Sequence, residues 1–297
     1  MTTAAPPQLV DVTPTHEVRT VAPVNEVTVD GGRAATLVGT ANAWEYLLVW
    51  SPKGIVVRAT LSCDTQESNV VLAGNRFAHV CFQDANYVVT GTLRPLRGRL
   101  ALRAAGTTQV ALAGGGSLIA GSVGRAVFRF DPRTKVKVRS YASPAIVVVA
   151  ADGDRLLVDR DAKTLDVLTG DGALVGTLRR AHAGGEAMRD GRVGTISGRT
   201  LIVSDVHGRT ILTRKVAAGA HLEDIAGGLA VYSVETRLHL LRLADGRDVA
   251  LRLRRQFGYA RARTSNGALY YTYNERTGKL GHAGYLDAAG VRRLFGS

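Results

Sequence analysis

Apolar and polar positions along this chain fall into short alternating runs, mostly five to eight residues long and closed by turn pairs rich in glycine, asparagine or aspartate. The clearest stretch spans 221–254, where runs at 222–226, 229–234, 237–243 and 248–254 are separated by Gly227-Gly228, the polar Glu235-Thr236 and Asp245-Gly246. Runs of this length, joined by residues that tolerate positive φ, predict a meander of four antiparallel strands. One such sheet is too small to close a core of its own and has to stack on others like it.

The turn pair recurs along the chain. Gly31-Gly32, Gly74-Asn75, Gly114-Gly115, Asp152-Gly153, Asp190-Gly191, Gly227-Gly228 and Asn266-Gly267 follow one another at intervals of 43, 40, 38, 38, 37 and 39 residues. A second series is offset within the repeat and marks a hairpin between third and fourth strands: Lys53-Gly54, Asp171-Gly172, His207-Gly208, Asp245-Gly246 and Ala289-Gly290, with Pro95 and Pro132 in the matching places of the second and third repeats. Four strands repeating about every 39 residues are the pattern of a β-propeller. The expected fold is therefore all-β: seven four-stranded antiparallel blades in a single domain over 16–297, preceded by a linker at 1–15. A two-sheet sandwich would impose no fixed period. The segment 17–27 resembles 137–147, which spans a fourth strand and the start of the next blade. A strand near 16–21 is thus expected to pair with the last blade and join the chain's ends, with 291–295 competing for that role.

In this pattern the chain resembles the seven-bladed propeller superfamily of WD40-like or quinoprotein-like repeats, over about residues 16–297. The Trp-Asp pair of WD40 blades is absent and Gly281-His282 is the one Gly-His. The run 273–280 looks like the turn of a quinoprotein blade, without the tryptophans that accompany it there. No propeller enzyme family is matched. Propellers host lyases, hydrolases, lectins and scaffolds alike, so the resemblance implies a fold and not an activity.

Composition narrows the picture. With 45% hydrophobic residues the chain can bury a core, and no apolar run reaches the roughly 18–20 residues of a membrane-spanning helix. The first ten residues have neither a basic start nor an apolar run, so an intact secretory leader is not in view. Cys63 and Cys81, the two cysteines, fall in neighbouring blades and suggest a disulfide and an oxidising compartment, with two separate buried thiols as the alternative. The protein is accordingly read as extracytoplasmic or secreted, its leader absent from this chain, with a cytoplasmic location as the alternative.

The net charge is +13, from 32 Arg and 6 Lys against 25 acidic residues. The basic residues gather on the expected fourth strands, among them Arg99, Arg103, Lys135, Lys137, Arg214, Lys215, Arg252, Arg292 and Arg293. Such strands are the outer edges of blades, where charge discourages edge-to-edge association. Aromatics make up only 6% and are not interleaved with these runs, which argues against nucleic acid as a partner. A monomer is expected.

Candidate chemistry is sparse. There is no nucleophile elbow, P-loop, zinc-protease helix or C-x-x-C pair, and no metal or cofactor is expected. The informative positions are on the innermost strands. Repeats one to four carry Val27, Val70, Val110 and Ile146 early in these strands, whereas repeats five and six carry Glu186 and Glu223 and repeat seven Arg261 and Arg263. His182, His221 and Asp224 adjoin the two glutamates. These residues are expected to meet on one side of the channel, either satisfying one another as an Arg–Glu network or forming a ligand-binding mouth. The leading reading is a non-enzymatic scaffold that offers its loops and central mouth to a protein, glycan or small ligand. The alternative is a hydrolase- or lyase-type enzyme using Glu186, Glu223 and His221 as acid and base. Trp50 is expected in a blade core and Trp44 at a hairpin.

Overall fold

The computed structural model describes residues 7–296 apart from 41–42, 61–69, 83–84, 106–107, 132, 144–145, 162 and 180–184. Seven antiparallel sheets stand in a ring. Their innermost strands are, in order, Thr28–Asp30, Val70–Ala73, Val110–Gly115, Val147–Asp152, Glu186–Arg189, Ala220–Ala226 and Gln256–Ser265. From each, the later strands of the blade step outward in sequence order. The chain is a seven-bladed β-propeller, as its repeat implies.

The alternation of side chains along each strand explains why the blades stack. In the second strand of blade 6, Leu229–Val234, residues Leu229 and Val231 pack towards blade 7, while Ala230 and Tyr232 pack towards blade 5. In blade 1, Ala35 and Leu37 face blade 2, and Ala34 and Val38 face blade 7. Successive residues of a strand point to opposite faces, so a sheet with both faces apolar has to be covered twice. Seven buried clusters result, one between each pair of neighbours round the ring. Trp50, fully buried, belongs to the one between blades 7 and 1. Trp44 falls on the strand Ala43–Ser51 rather than at a hairpin.

Gly227 and Gly228, at φ +57° and +78°, make the two-residue turn expected between the first two strands of blade 6. In blade 3 the turn sits later than its glycine pair indicated. Gly114 and Gly115 are the last residues of the inner strand, and Gly116, at φ +60°, supplies the left-handed residue. The pair is glycine for another reason. A Cβ on Gly114 would lie 2.5 Å from the Leu72 carbonyl oxygen of blade 2, and one on Gly115 would lie 2.3 Å from the Ala151 carbonyl oxygen of blade 4.

The ring closes through the N-terminal strand. His16–Arg19 pairs antiparallel with Gly281–Leu286 and is the outer strand of blade 7. The competing segment 291–295 is not a strand. Most of it belongs to the helix Ala288–Leu294, capped by the Asp287 side chain, which accepts from the Gly290 N–H at 2.6 Å. Ala289-Gly290 is therefore helical and not a hairpin, and Arg292 and Arg293 ride on the helix instead of an outer strand. With its edge already filled, blade 7 uses the chain's end as a cover: Val291, Leu294 and Phe295 join the apolar cluster between blades 6 and 7. Upstream, Gln8–Asp11 runs parallel to Asp248–Arg252 and adds a fifth strand to blade 6.

A buried clasp holds the closure. His282, 4% exposed, lies 2.9 Å from Glu17 on the N-terminal strand through Nδ1 and 2.9 Å from Glu275 through Nε2. Its ring stacks on Tyr273 at 4.6 Å, and the Tyr271 and Tyr273 hydroxyls both donate to Glu17 at 3.3 Å. The imidazole beside Glu275 holds that carboxyl below the usual glutamate range, and burial, with Glu17 adding to it, pushes the Tyr271 and Tyr273 phenols up. The outer basic residues also do more than face water. Arg139 donates to the Gly172 carbonyl of blade 4 at 2.9 Å, and Arg214 to Leu243 and Ala244 of blade 6 at 2.9 and 3.0 Å.

Candidate functional site in the central channel

The innermost strands surround a cavity of about 160 Å³. Glu186, Glu223, Asp224 and Arg263 line it, as the innermost-strand pattern anticipates. Arg261 joins them through Glu223. His221 is exposed at the start of its strand, and His182 lies outside the described residues.

Two strands bring the charges together. Glu223 is the extra residue of a bulge in Ala220–Ala226, where the pairing with the second strand shifts between Leu222 and Asp224. The bulge lets two consecutive acidic residues be buried together, at 6% and 3% exposure. On the adjacent strand of blade 7, Arg261 and Arg263 are two positions apart and so share a face. Both reach Glu223: Arg261 donates to its Oε1 at 2.9 Å, and Arg263 lies 3.4 Å from its Oε2 and also donates to its backbone carbonyl. The Ser233 hydroxyl supplies a further donor to Oε1 at 2.9 Å. Asp224 accepts from the Thr264 amide at 2.8 Å and hydroxyl at 3.4 Å. Burial works against the Arg263 charge, but Asp224, Glu223 and Glu26 outweigh it and hold its pKa above the ordinary arginine value.

Two participants were not singled out from the sequence. Glu26, directly before Val27, lines the cavity and lies 4.0 Å from Arg261. Arg189 donates across the lower end of the channel to the Val29 carbonyl of blade 1 at 3.3 Å. Its Nε sits 3.9 Å from Asp224 and finds no hydrogen-bond partner among the described residues. The signal for Glu26 is the alternation that places Thr28, two residues on, against the same cavity. Arg189 had no signal, because its reach across the ring follows only from the closed geometry.

Blades 2 to 4 face this network with Val70, Val71, Leu112, Ala113, Val149 and Ala150. The charged side chains therefore gather on the side of blades 5 to 7 and 1, and the strands opposite carry none. Below it, aspartates at the inner turns tie blade to blade. Asp30 accepts the Gly74 and Gly116 amides at 2.5 and 2.7 Å, Asp152 the Gly191 amide at 3.1 Å, and Asp190 the Gly227 amide at 3.0 Å. At the upper rim, Tyr259 is 65% exposed with the Arg261 guanidinium 5.8 Å from its ring.

Away from the channel, Cys81 is buried in the second strand of blade 2 with its Sγ 3.5 Å from His79 Nδ1. Cys63, its expected partner in a bridge, lies outside the described residues. No group of three or more His, Cys, Asp or Glu side chains is placed to hold a metal among the described residues. No helix is long and apolar enough to cross a membrane among them.

No protein-family model matches the chain. No curated protein matches it either. Solved structures do resemble it. A chain of the mitotic checkpoint complex superposes with a TM-score of 0.62 at 11% identity, covering 92% of this chain and 91% of that one. KlHsv2 with loop 6CD replaced by a Gly-Ser linker gives 0.60 at 11% identity, covering 86% and 90%. BamB from Moraxella catarrhalis gives 0.54 at 11% identity, covering 90% and 84%. At such identities the likeness is one of fold alone, and it places the chain among the β-propellers.

Proposed function

We propose that this propeller is a non-enzymatic binding scaffold whose loops and central mouth receive a protein, glycan or small ligand. The observation that carries the reading is the state of Glu223, the most deeply buried of the candidate acids and bases. It is 6% exposed, and its oxygens are taken up by Arg261, Arg263 and the Ser233 hydroxyl. A general base has to reach a substrate proton, and here a guanidinium would first have to be displaced. Recognition needs no such displacement. The exposed ring of Tyr259 beside Arg261 is the kind of aromatic and arginine pair that anchors partners. One of the propellers similar in fold is itself a chain within a larger complex, the mitotic checkpoint complex.

The reading includes export. A disulfide between Cys63 and Cys81 would suit an oxidising compartment. Intact mass should fall by two hydrogens in non-reduced protein; two thiols that alkylate in native material would count against it. The scaffold itself is tested by placing a photo-crosslinking amino acid at Tyr259 in the native host. A single defined partner, lost when Arg261→Glu is added, is expected. Crosslinks that are absent, or unchanged by that substitution, would sink the idea.

A further inference from the structure

We infer that the outer edge of blade 2 takes an acidic extended peptide as an added strand, seated along the groove between blades 2 and 3. This surface lies on the perimeter, apart from the central mouth, and stands independently of the scaffold reading.

Three observations lead to it. First, register turns cations towards that groove from both banks. On the outer strand of blade 2, Leu96–Arg103, Arg99 lines up with Thr90 and through it with Ala78, a member of the apolar cluster between blades 2 and 3. Arg97 lines up in the same way with Thr92 and Arg76. Paired residues of neighbouring strands share a face, so Arg97 and Arg99 are turned towards blade 3. On the outer strand of blade 3, Lys135–Ser140, Lys135 pairs with Phe130 and Lys137 with Phe128, and both phenylalanines pack into the same cluster. Those lysines are turned towards blade 2. All four cations are exposed, and none has a side-chain partner among the described residues. Arg76 adds positive charge at the inner end, where it spans the two blades to the Phe130 and Ser117 carbonyls. Asp131, the acid in the blade 3 hairpin, is already paired with Arg129 at 3.2 Å. Other outer-strand arginines are spent within the molecule: Arg58 on the Tyr46 hydroxyl at 2.8 Å, Arg139 on the Gly172 carbonyl and Arg214 on Leu243.

Second, the edge of blade 2 is two-faced. Leu96 and Leu100, on the face opposite the arginines, are 46% and 58% exposed. A strand laid alongside, at about 4.8 Å, would set alternate side chains beside the arginines and the others beside the leucines. The complementary sequence therefore alternates carboxylate and aliphatic residues. Its carboxylates, about 7 Å apart, match the step from Arg97 to Arg99 on one bank and from Lys135 to Lys137 on the other. The pairing shift between Leu100 and Leu102 bends the edge and limits the straight part to Leu96–Leu100.

Third, the molecule already contains such an addition. Gln8–Asp11 joins the outer edge of blade 6 in parallel, with Val10 against the apolar cluster and Asp11 3.4 Å from Arg252. Blade 2 offers the same chemistry with two arginines, and no strand among the described residues covers its edge. Like charge bars the basic edge of a second copy, which leaves an acidic strand as the occupant.

The test is fluorescence anisotropy of the full chain with a labelled hexapeptide of alternating Glu and Val. Its comparators are a peptide of the same composition with the glutamates contiguous, a backbone N-methylated version, an oligothymidylate and phosphatidylserine vesicles. Saturable binding of the alternating peptide is expected, with a Kd on the order of 100 μM at low salt. Backbone amides within 96–100 should exchange hydrogen more slowly in the complex. Arg97→Glu with Arg99→Glu should weaken binding at least roughly tenfold, because two charge-assisted contacts become repulsive. Lys135→Glu with Lys137→Glu should do the same, and carries the test should the first pair fail to fold by circular dichroism. The same charge change on blades 4 and 5, Arg179→Glu with Lys215→Glu, should alter binding less than about threefold, since those sites lie beyond a Debye length. Equal binding of the contiguous or N-methylated peptide, tighter binding of oligothymidylate or vesicles, an equal effect of the control pair, unchanged exchange within 96–100, or no saturable binding overturns the inference. The Tyr259 crosslink should be indifferent to the blade 2 and blade 3 variants, so the edge site and the scaffold stand or fall separately.

Discussion

The two sides of the channel are held together by different means. In blades 2 to 4 the inner strands approach backbone to backbone. Gly114 and Gly115 leave no room for a Cβ against Leu72 and Ala151, and the cavity wall is Val70, Leu112 and Ala150. In blades 6 and 7 the inner strands are bridged by side chains, with Glu223 gripping Arg261 and Arg263, and Asp224 gripping Thr264. The apolar side derives its strength from contact that tolerates no added atom. The charged side derives its strength from pairing that tolerates no missing partner. One ring thus carries two failure modes, and only the charged side can also present an electrostatic preference to a ligand.

The largest effect should come from Glu223→Ala, which strands two arginines in the channel. Removing one member of a buried ion pair costs about 3–5 kcal/mol, read as a shift in the denaturant midpoint. Replacing the pair is expected to cost less than breaking it, so the double variant Glu223→Met with Arg263→Met should recover more than half of the loss. If the double variant is as unstable as the single, the charged side is not held by pairing and the contrast fails.

Leu112→Ala probes the opposite wall. Leu112 is 3% exposed in the cluster between blades 2 and 3, and truncating a buried leucine costs roughly 2–5 kcal/mol, somewhat less here because the channel can fill the gap with water. No second substitution on the charged side should rescue it. Gly115→Ala tests close approach directly. With a methyl group 2.3 Å from the Ala151 carbonyl oxygen, the two blades must part, at about 1–3 kcal/mol. A neutral result would show that the glycine run serves only the turn.

The smallest effect is a pH slope behind the apolar side. His79, buried in blade 2 and stacked on Phe77, has its pKa pushed down to about 4 by burial, from an ordinary 6.5. Between those values the unfolded chain takes up a proton that the folded chain refuses. Stability should therefore fall as pH drops from 6.5 towards 4, by about 1 kcal/mol per unit. His79→Gln should remove that part of the slope, and urea titrations at three pH values would show it. An unchanged slope would mean that other groups set the acid limit.

Much of this architecture is legible in the sequence because it is repeated. Turn pairs, two-sided apolar strands and an N-terminal strand resembling 137–147 each recur or have a counterpart, and repetition separates them from accident. What the sequence hides is whatever depends on the ring being closed. Asp30, Asp152 and Asp190 look like turn formers, yet their carboxylates serve the next blade's amides, and no local signal distinguishes the two uses. Ala289-Gly290 imitates the hairpin series, but the edge it would have filled is taken by His16–Arg19. The candidate site divides in the same way. Glu186, Glu223 and Arg263 were visible as exceptions to an aliphatic position, whereas Arg189 matters through a carbonyl on the far side of the channel.

The clasp at His282 bears on how the chain is made. Glu17 and His282 are 265 positions apart, so a ribosome releases the first long before the second exists. The outer strand of blade 7 must therefore wait without a partner while the other blades stack. Long-range pairings of this kind form late, since the intervening chain has to be ordered first. Closure then works as a check on completeness. A product that stops before blade 7 leaves its leading strand unpaired and a blade face uncovered, which is the exposed, unfinished state that proteases act on.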